Sequence, residues 1–146
     1  MGRFESFLKS PQNEHAYPFD FLLDGVQPDN EDPETIAAYQ HAVAHLNMID
    51  QSPQPRFILR FPAMVPRRFV ALLKVEDPRT LTIVGYFFML LRRYGGLWWV
   101  GRQAVMEFKA LMKLIPDEWR PRMDWAVRVI EQEESSPEST PGPVDF

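Results

Sequence analysis

Residues 77–99, DPRTLTIVGYFFMLLRRYGGLWW, constrain the fold more than any other stretch, because they hold the most apolar surface in the fewest residues. Between Leu81 and Leu91 only Thr82 and Gly85 interrupt the large aliphatic and aromatic side chains. A helix apolar on all its faces has to be wrapped on all of them. Asp77 followed by Pro78 reads as an N-cap with proline in the first turn, where its absent N–H is not missed. Arg92 and Arg93, then Gly95 and Gly96, read as the other end: cations on the partial negative pole, then glycine free to turn left-handed. One helix is expected from about Pro78 to Tyr94. Its apolar run is far shorter than the roughly 20 residues that cross a bilayer, so it reads as a buried core helix.

The rest of the chain reads as what wraps it. Residues 97–115 return as a second long helix, with Leu97, Gly101, Ala104, Val105, Phe108, Leu111, Met112 and Ile115 as its buried stripe. Arg102, Gln103, Lys109 and Lys113 form its wet side. A link this short makes the pair an antiparallel αα-hairpin. Upstream, Asp32-Pro33-Glu34 opens a helix whose stripe is Ile36, Tyr39, Val43 and Leu46, ending near Met48. An extended connector follows at Gln51-Ser52-Pro53-Gln54-Pro55, then a short extended or irregular piece over 57–62 and a short helix over 67–75. Pro116-Asp117-Glu118 begins a last helical stretch with Trp119, Met123, Trp125, Val127 and Ile130.

No strand is expected, so the fold class is all-α, a small helical bundle built on the central apolar helix and the αα-hairpin. Three regions follow: 1–32, an irregular or partly disordered acidic segment; 33–130, the helical domain; and 131–146, a disordered acidic tail. The first region contains an apolar island, Tyr17-Pro18-Phe19-Asp20-Phe21-Leu22-Leu23-Asp24. Acids interleaved with aromatics and leucines are the composition of disordered activation segments. The reading favoured over that one is a lid packed on the domain.

Chemistry-bearing patterns are few. The absence of cysteine excludes disulfides, thiolate metal sites and cysteine nucleophiles. His41 and His45 share a helix face, but no glutamate follows His41 as an H-E-x-x-H site needs, and two ligands do not make a site. They are read as partly exposed and non-liganding. There is no phosphate loop, no G-x-S-x-G elbow and no DNA-reading signature. Carboxylates concentrate in segments expected to be flexible, where an acid/base pair could not be held. No catalytic residue, metal or cofactor is assigned, and no enzyme is expected.

Charge is partitioned along the chain: two bases against nine acids over 1–55, eight against two over 56–93, and five acids with no base over 131–146. The basic middle is read as neutralised by its own ends and not as a nucleic-acid surface. Met1-Gly2 with Ser6 matches the minimal myristoylation pattern, but Arg3 and Glu5 charge the recognised segment. With no secretory signal, the expectation is an intracellular protein, nuclear or cytoplasmic, without a membrane partner.

An aromatic and methionine-rich interior is expected from Phe61, Phe69, Tyr86, Phe87, Phe88, Trp98, Trp99, Met106 and Phe108. It is read as core first and as an apolar ligand pocket second. Gly85 and Gly101 stand inside helices at up to about 1 kcal/mol each relative to alanine, so something approaches the backbone there. That neighbour is a helix or bulky ring, or else a ligand. The candidate ligand-binding set is Phe61, Phe69, Gly85, Phe87, Phe88, Leu91, Trp98, Trp99 and Met106.

With these residues in view, the chain resembles the C-terminal regulatory domain of fungal binuclear zinc-cluster transcription factors, the group that includes sterol-uptake control proteins. The resemblance rests on Arg56-Phe57-Ile58-Leu59-Arg60-Phe61-Pro62, Asp77-Pro78-Arg79-Thr80-Leu81, Tyr86 with Leu90-Leu91, Trp98-Trp99, Leu114-Ile115-Pro116, and Trp119 with Met123-Asp124-Trp125. The chain departs from the pattern at Thr80, where alanine is usual, at Ala126, where proline often stands, and in the tight link Val100-Gly101. The six-cysteine cluster is missing, as in a truncated gene product or a stand-alone relative. The resemblance implies that 33–130 is a non-enzymatic regulatory domain of a nuclear factor. Its partner would be a sterol or other apolar small molecule; the alternative is a dimerisation or interaction module that binds a second copy or another transcription-regulatory protein. No direct DNA contact is expected.

Overall fold

The computed structural model describes residues 17–135. Its helices are α1 (Pro33–Gln51), α2 (Pro55–Leu59), α3 (Phe61–Met64), α4 (Arg67–Lys74), α5 (Pro78–Tyr94), α6 (Trp98–Met112) and α7 (Asp124–Ser135). Two 3-10 segments, Asp20–Leu23 and Asp117–Met123, precede α1 and α7. The described residues contain no strand, and the fold is all-α.

The axis of the molecule is α5, with the bounds its sequence implies. The Asp77 carboxylate accepts from the Thr80 N–H at 3.0 Å and from the Thr80 hydroxyl at 2.9 Å, closing the first turn. The Thr82 hydroxyl donates to the Pro78 carbonyl at 2.8 Å, so both buried threonines are satisfied within the helix. Leu81, Ile83, Tyr86, Met89 and Leu90 are sealed on different sides of it, and α1, α2, α4, α6, α7 and both 3-10 segments pack against it. At its end Gly96 adopts a φ of 91°, the left-handed turn only glycine makes cheaply. α6 then runs back antiparallel: Gly101 lies against Arg92 and Gly85 against Leu111. A Cβ on Gly85 would strike the Met123 methyl, so the close neighbour there is packed protein.

The island over 17–24 packs as a strap. Phe19 and Leu22 are fully buried. Phe19 stacks on Trp125, with centroids 5.0 Å apart, and meets Tyr86 edge-on at 5.7 Å. The Asn47 amide reads both its backbone and its charge: Oδ1 accepts from the Phe19 N–H and Nδ2 donates to Asp20, each at 2.9 Å. Buried Arg79 donates to the carbonyls of Leu22 and Asp24 at 2.6 and 2.8 Å, and Arg122 to that of Asp24 at 2.8 Å. Gly25, with a φ of 89°, lets the chain turn beneath both guanidiniums.

Elsewhere the structure corrects the sequence reading. Residues 57–62 are not extended; apart from Arg60, a helical-turn link, they belong to α2 and α3, each with a proline in its first turn, the one place where proline suits a helix. α1 runs on to Gln51, while α6 stops at Met112 and leaves Ile115 buried beyond its end. Leu97 is 52% exposed and not part of the buried stripe. Residues 117–123 form a 3-10 helix, because Pro121 inside it supplies no N–H to an α ladder. Residues 131–135 continue α7 instead of opening the tail, as glutamate and glutamine favour helix. The myristoylation pattern at Gly2 and the remaining tail lie outside the described residues.

Candidate functional site

Val84, Phe87 and Phe88 recur on α5 at three- and four-residue steps and so share one face. Over that face, Phe61 and Pro62 of α3, Val65, and Phe69, Val70 and Leu73 of α4 enclose a cleft of about 250 Å³ whose lining residues are all apolar. Its floor is aromatic. Phe61 stacks on Phe87 with centroids 4.5 Å apart, Phe69 stands edge-on to Phe61 at 6.1 Å, and Phe88 lies 5.7 Å from Phe87.

Of the residues proposed from sequence, Phe61, Phe69, Phe87 and Phe88 meet in this cleft. Gly85 turns the other way, toward Met123 and Leu111, and half-buried Leu91 lies beside Gly95. Trp98, Trp99 and Met106 are 41, 57 and 62% exposed, which corrects the expected interior. The face of α6 turned to α5 is formed by Gly101, Ala104, Val105, Phe108 and Leu111. Trp99 and Met106, seven residues apart, share the outer face, and Trp98 stands at the hairpin's turn beneath the Arg102 guanidinium, 5.7 Å from its ring. Tyr86 and Phe108 are interior, as expected. Sequence reasoning missed Pro62, Val65, Val70, Leu73 and Val84 as wall residues. The steps from Phe69 to Leu73 and from Val84 to Phe88 were the available signal.

Three polar groups with displaced proton affinities, Tyr39, Tyr86 and His45, serve structure. Burial, then the 2.8 Å hydrogen bond to Asp77, hold the Tyr39 phenol protonated well above its usual range. Burial pushes Tyr86 up to about 12, while its hydroxyl donates to the Arg122 carbonyl at 2.5 Å. His45 is buried and not partly exposed: Nε2 lies 3.2 Å from the Phe57 carbonyl, and burial lowers its proton affinity. His41 is exposed. No three His, Asp or Glu side chains cluster for a metal among the described residues, and no helix among them is long and apolar enough to cross a membrane.

Two more open hollows border the strap, about 350 Å³ beside Tyr17, Asp20 and Asn47 and about 690 Å³ beside Phe21, Trp125 and Arg128. Both are lined in part by charged and polar groups, so the α3–α4–α5 cleft is the more apolar concavity.

No protein-family model and no solved structure matches the chain significantly. A curated protein does: a Zn(2)-C6 fungal-type transcription factor of Gibberella zeae is 34% identical over 119 residues, covering 76% of this chain. The match spans 24% of that factor, so the chain corresponds to about a quarter of its length. The chain belongs to the fungal Zn(2)-C6 transcription-factor family as the counterpart of a piece of such a factor.

Proposed function

We propose that this chain is a non-enzymatic regulatory module of a fungal transcription factor, acting in the nucleus by taking an apolar effector into the α3–α4–α5 cleft. The observation that carries this reading is the cleft itself, aromatic-floored and apolar on every wall. Tyr39, Tyr86 and His45, whose proton affinities burial displaces, are each tied by a hydrogen bond into the packing, which supports a module that binds over one that catalyses. A volume of about 250 Å³ falls below the roughly 300–1,000 Å³ of pockets that enclose a drug-sized ligand. An aliphatic chain or protruding side chains suit it better than a whole sterol, which would enter only in part. Thermal unfolding with oleate and with cholesterol tests the reading. Oleate should raise Tm, and Val70→Trp, which fills the mouth, should remove that rise; no shift with either lipid counts against a small-molecule effector.

A second reading, self-association, is favoured by exposed Leu97, Trp98, Trp99 and Met106. It requires a Tm that climbs with protein concentration and does not respond to lipid.

A further inference from the structure

The cleft has a charge pattern as well as a shape. Arg67, Val70 and Lys74 recur at three- and four-residue steps and stand on one face of α4. Val70 is both a wall of the cleft and 39% exposed. Arg60 immediately precedes Phe61 at the start of α3. Among the described residues no ion pair or side-chain hydrogen bond engages Arg60, Arg67 or Lys74. Residues 56–75 contain no carboxylate; just beyond them, exposed Glu76 forms no ion pair among the described residues, and Asp77 is committed to Thr80 and Tyr39. Arg68 shows the contrast. On the side of α4 turned to α1, it is held by Glu34 at 2.8 Å and Asp32 at 3.4 Å. Arg68, toward α1, is neutralised; Arg67 and Lys74, on the face of Val70, meet no carboxylate among the described residues.

An apolar trough edged by unpaired cations suits an occupant that presents apolar side chains flanked by carboxylates. A sterol hydroxyl would find no polar side chain among the lining residues, and a nucleic acid would bring charge with no apolar ridge for the Phe61, Phe87 and Phe88 floor. The opposite side of α5 offers a precedent within the chain. There Tyr86 is covered by an acidic, aromatic segment, with Phe19 and Leu22 buried, Asp20 beside them, and Arg79 holding the backbone.

Building on the cleft as the effector site, we infer that it docks an acidic amphipathic helix of a partner protein. Apolar side chains at i, i+3 or i+4, and i+7 of that helix enter between Phe69, Val70, Phe87 and Phe88, and its carboxylates lie against Arg60, Arg67 and Lys74.

The probe is a fluorescein-labelled designed helix with leucine and phenylalanine at i, i+3, i+4 and i+7 and glutamate on both flanks, titrated into the full chain by anisotropy. The same helix with lysine flanks is its control. The glutamate form should bind about tenfold or more tighter than the lysine form, and should weaken as ionic strength rises. Arg67→Glu combined with Lys74→Glu, both at exposed positions, should reverse the preference, and Val70→Trp should abolish binding of either peptide. Circular dichroism verifies that each variant is folded. Equal binding of the two peptides, or binding that survives both variants, overturns the inference. If neither peptide binds while oleate still raises Tm in a Val70-dependent way, the partner helix is wrong and the effector cleft stands; if neither peptide nor lipid engages, both are wrong.

Discussion

Two sides of α5 carry the same kind of surface and meet different fates. Around Tyr86 the aromatic surface is closed by the 17–25 strap, whose Phe19 is fully buried and whose backbone is held by Asn47, Arg79 and Arg122. Around Val84, Phe87 and Phe88 it is only partly roofed by α3 and α4, and Val70 stands exposed at the opening. Apolar content does not separate the two sides. What does is a polar framework: the closed side has groups that hold a covering segment in one register, and the open side has cations with no such segment against them among the described residues. The first side is therefore part of the core, and the second is a surface available to something else.

That contrast breaks most severely at Phe19. Phe19→Ala should cost about 3–5 kcal/mol, the range for removing a fully buried ring, measured by urea unfolding monitored at the tryptophans. A loss under about 1 kcal/mol would mean that the strap is an accessory and that both sides of α5 are open. Next in size is Asn47→Ala, which strips the buried Phe19 N–H of its acceptor and leaves Asp20 without the amide. It should cost about 1–3 kcal/mol, and protection of the Phe19 amide in hydrogen exchange should fall with it.

How far this division could be read from the sequence depends on how local its causes are. The Asp77 cap, the Gly96 turn and the bounds of α5 lie within a few residues of their own signals, and all were legible. So was the packing of the strap, because Phe19, Phe21, Leu22 and Leu23 together are too apolar to leave in water. Residues 57–62 were misread because a short apolar run between prolines fits an extended piece and two helical turns equally well. Trp98, Trp99 and Met106 were misplaced because residue type says nothing about which face of α6 meets α5. The cleft was half legible. Its four phenylalanines stood out by type, while its aliphatic wall was set by how α3 and α4 cross α5, a tertiary matter.

On the open side the effects on stability should be small. Val70→Ser should change the unfolding free energy by less than about 1 kcal/mol, because the side chain is already partly in water. Comparable losses at Val70 and Phe19 would erase the distinction between the two sides.

Titration separates the sides once more. Burial holds Tyr86, on the closed side, up to about 12. The stability this brings is fully present below about pH 10, the unfolded value, and is lost as pH rises toward the folded one. Tyr86→Phe should flatten that alkaline decline, even though it removes the hydroxyl's bond to the Arg122 carbonyl. His45 works in the opposite direction behind the open side, where its ring lies 5.7 Å from that of Phe61, a wall of the cleft. Burial favours its neutral form and lowers its proton affinity, outweighing the Phe57 carbonyl that favours the charged one, and a positive charge on His41 adds to the lowering. Below the unfolded value of about 6.5 the unfolded chain therefore binds the extra proton, and stability falls as the solution is acidified. Melting curves of the wild-type chain and His45→Gln from pH 7 to 5 should diverge, with the wild type losing more. Parallel curves would mean that His45 takes its proton without disturbing Phe61, and that the cleft wall does not respond to pH.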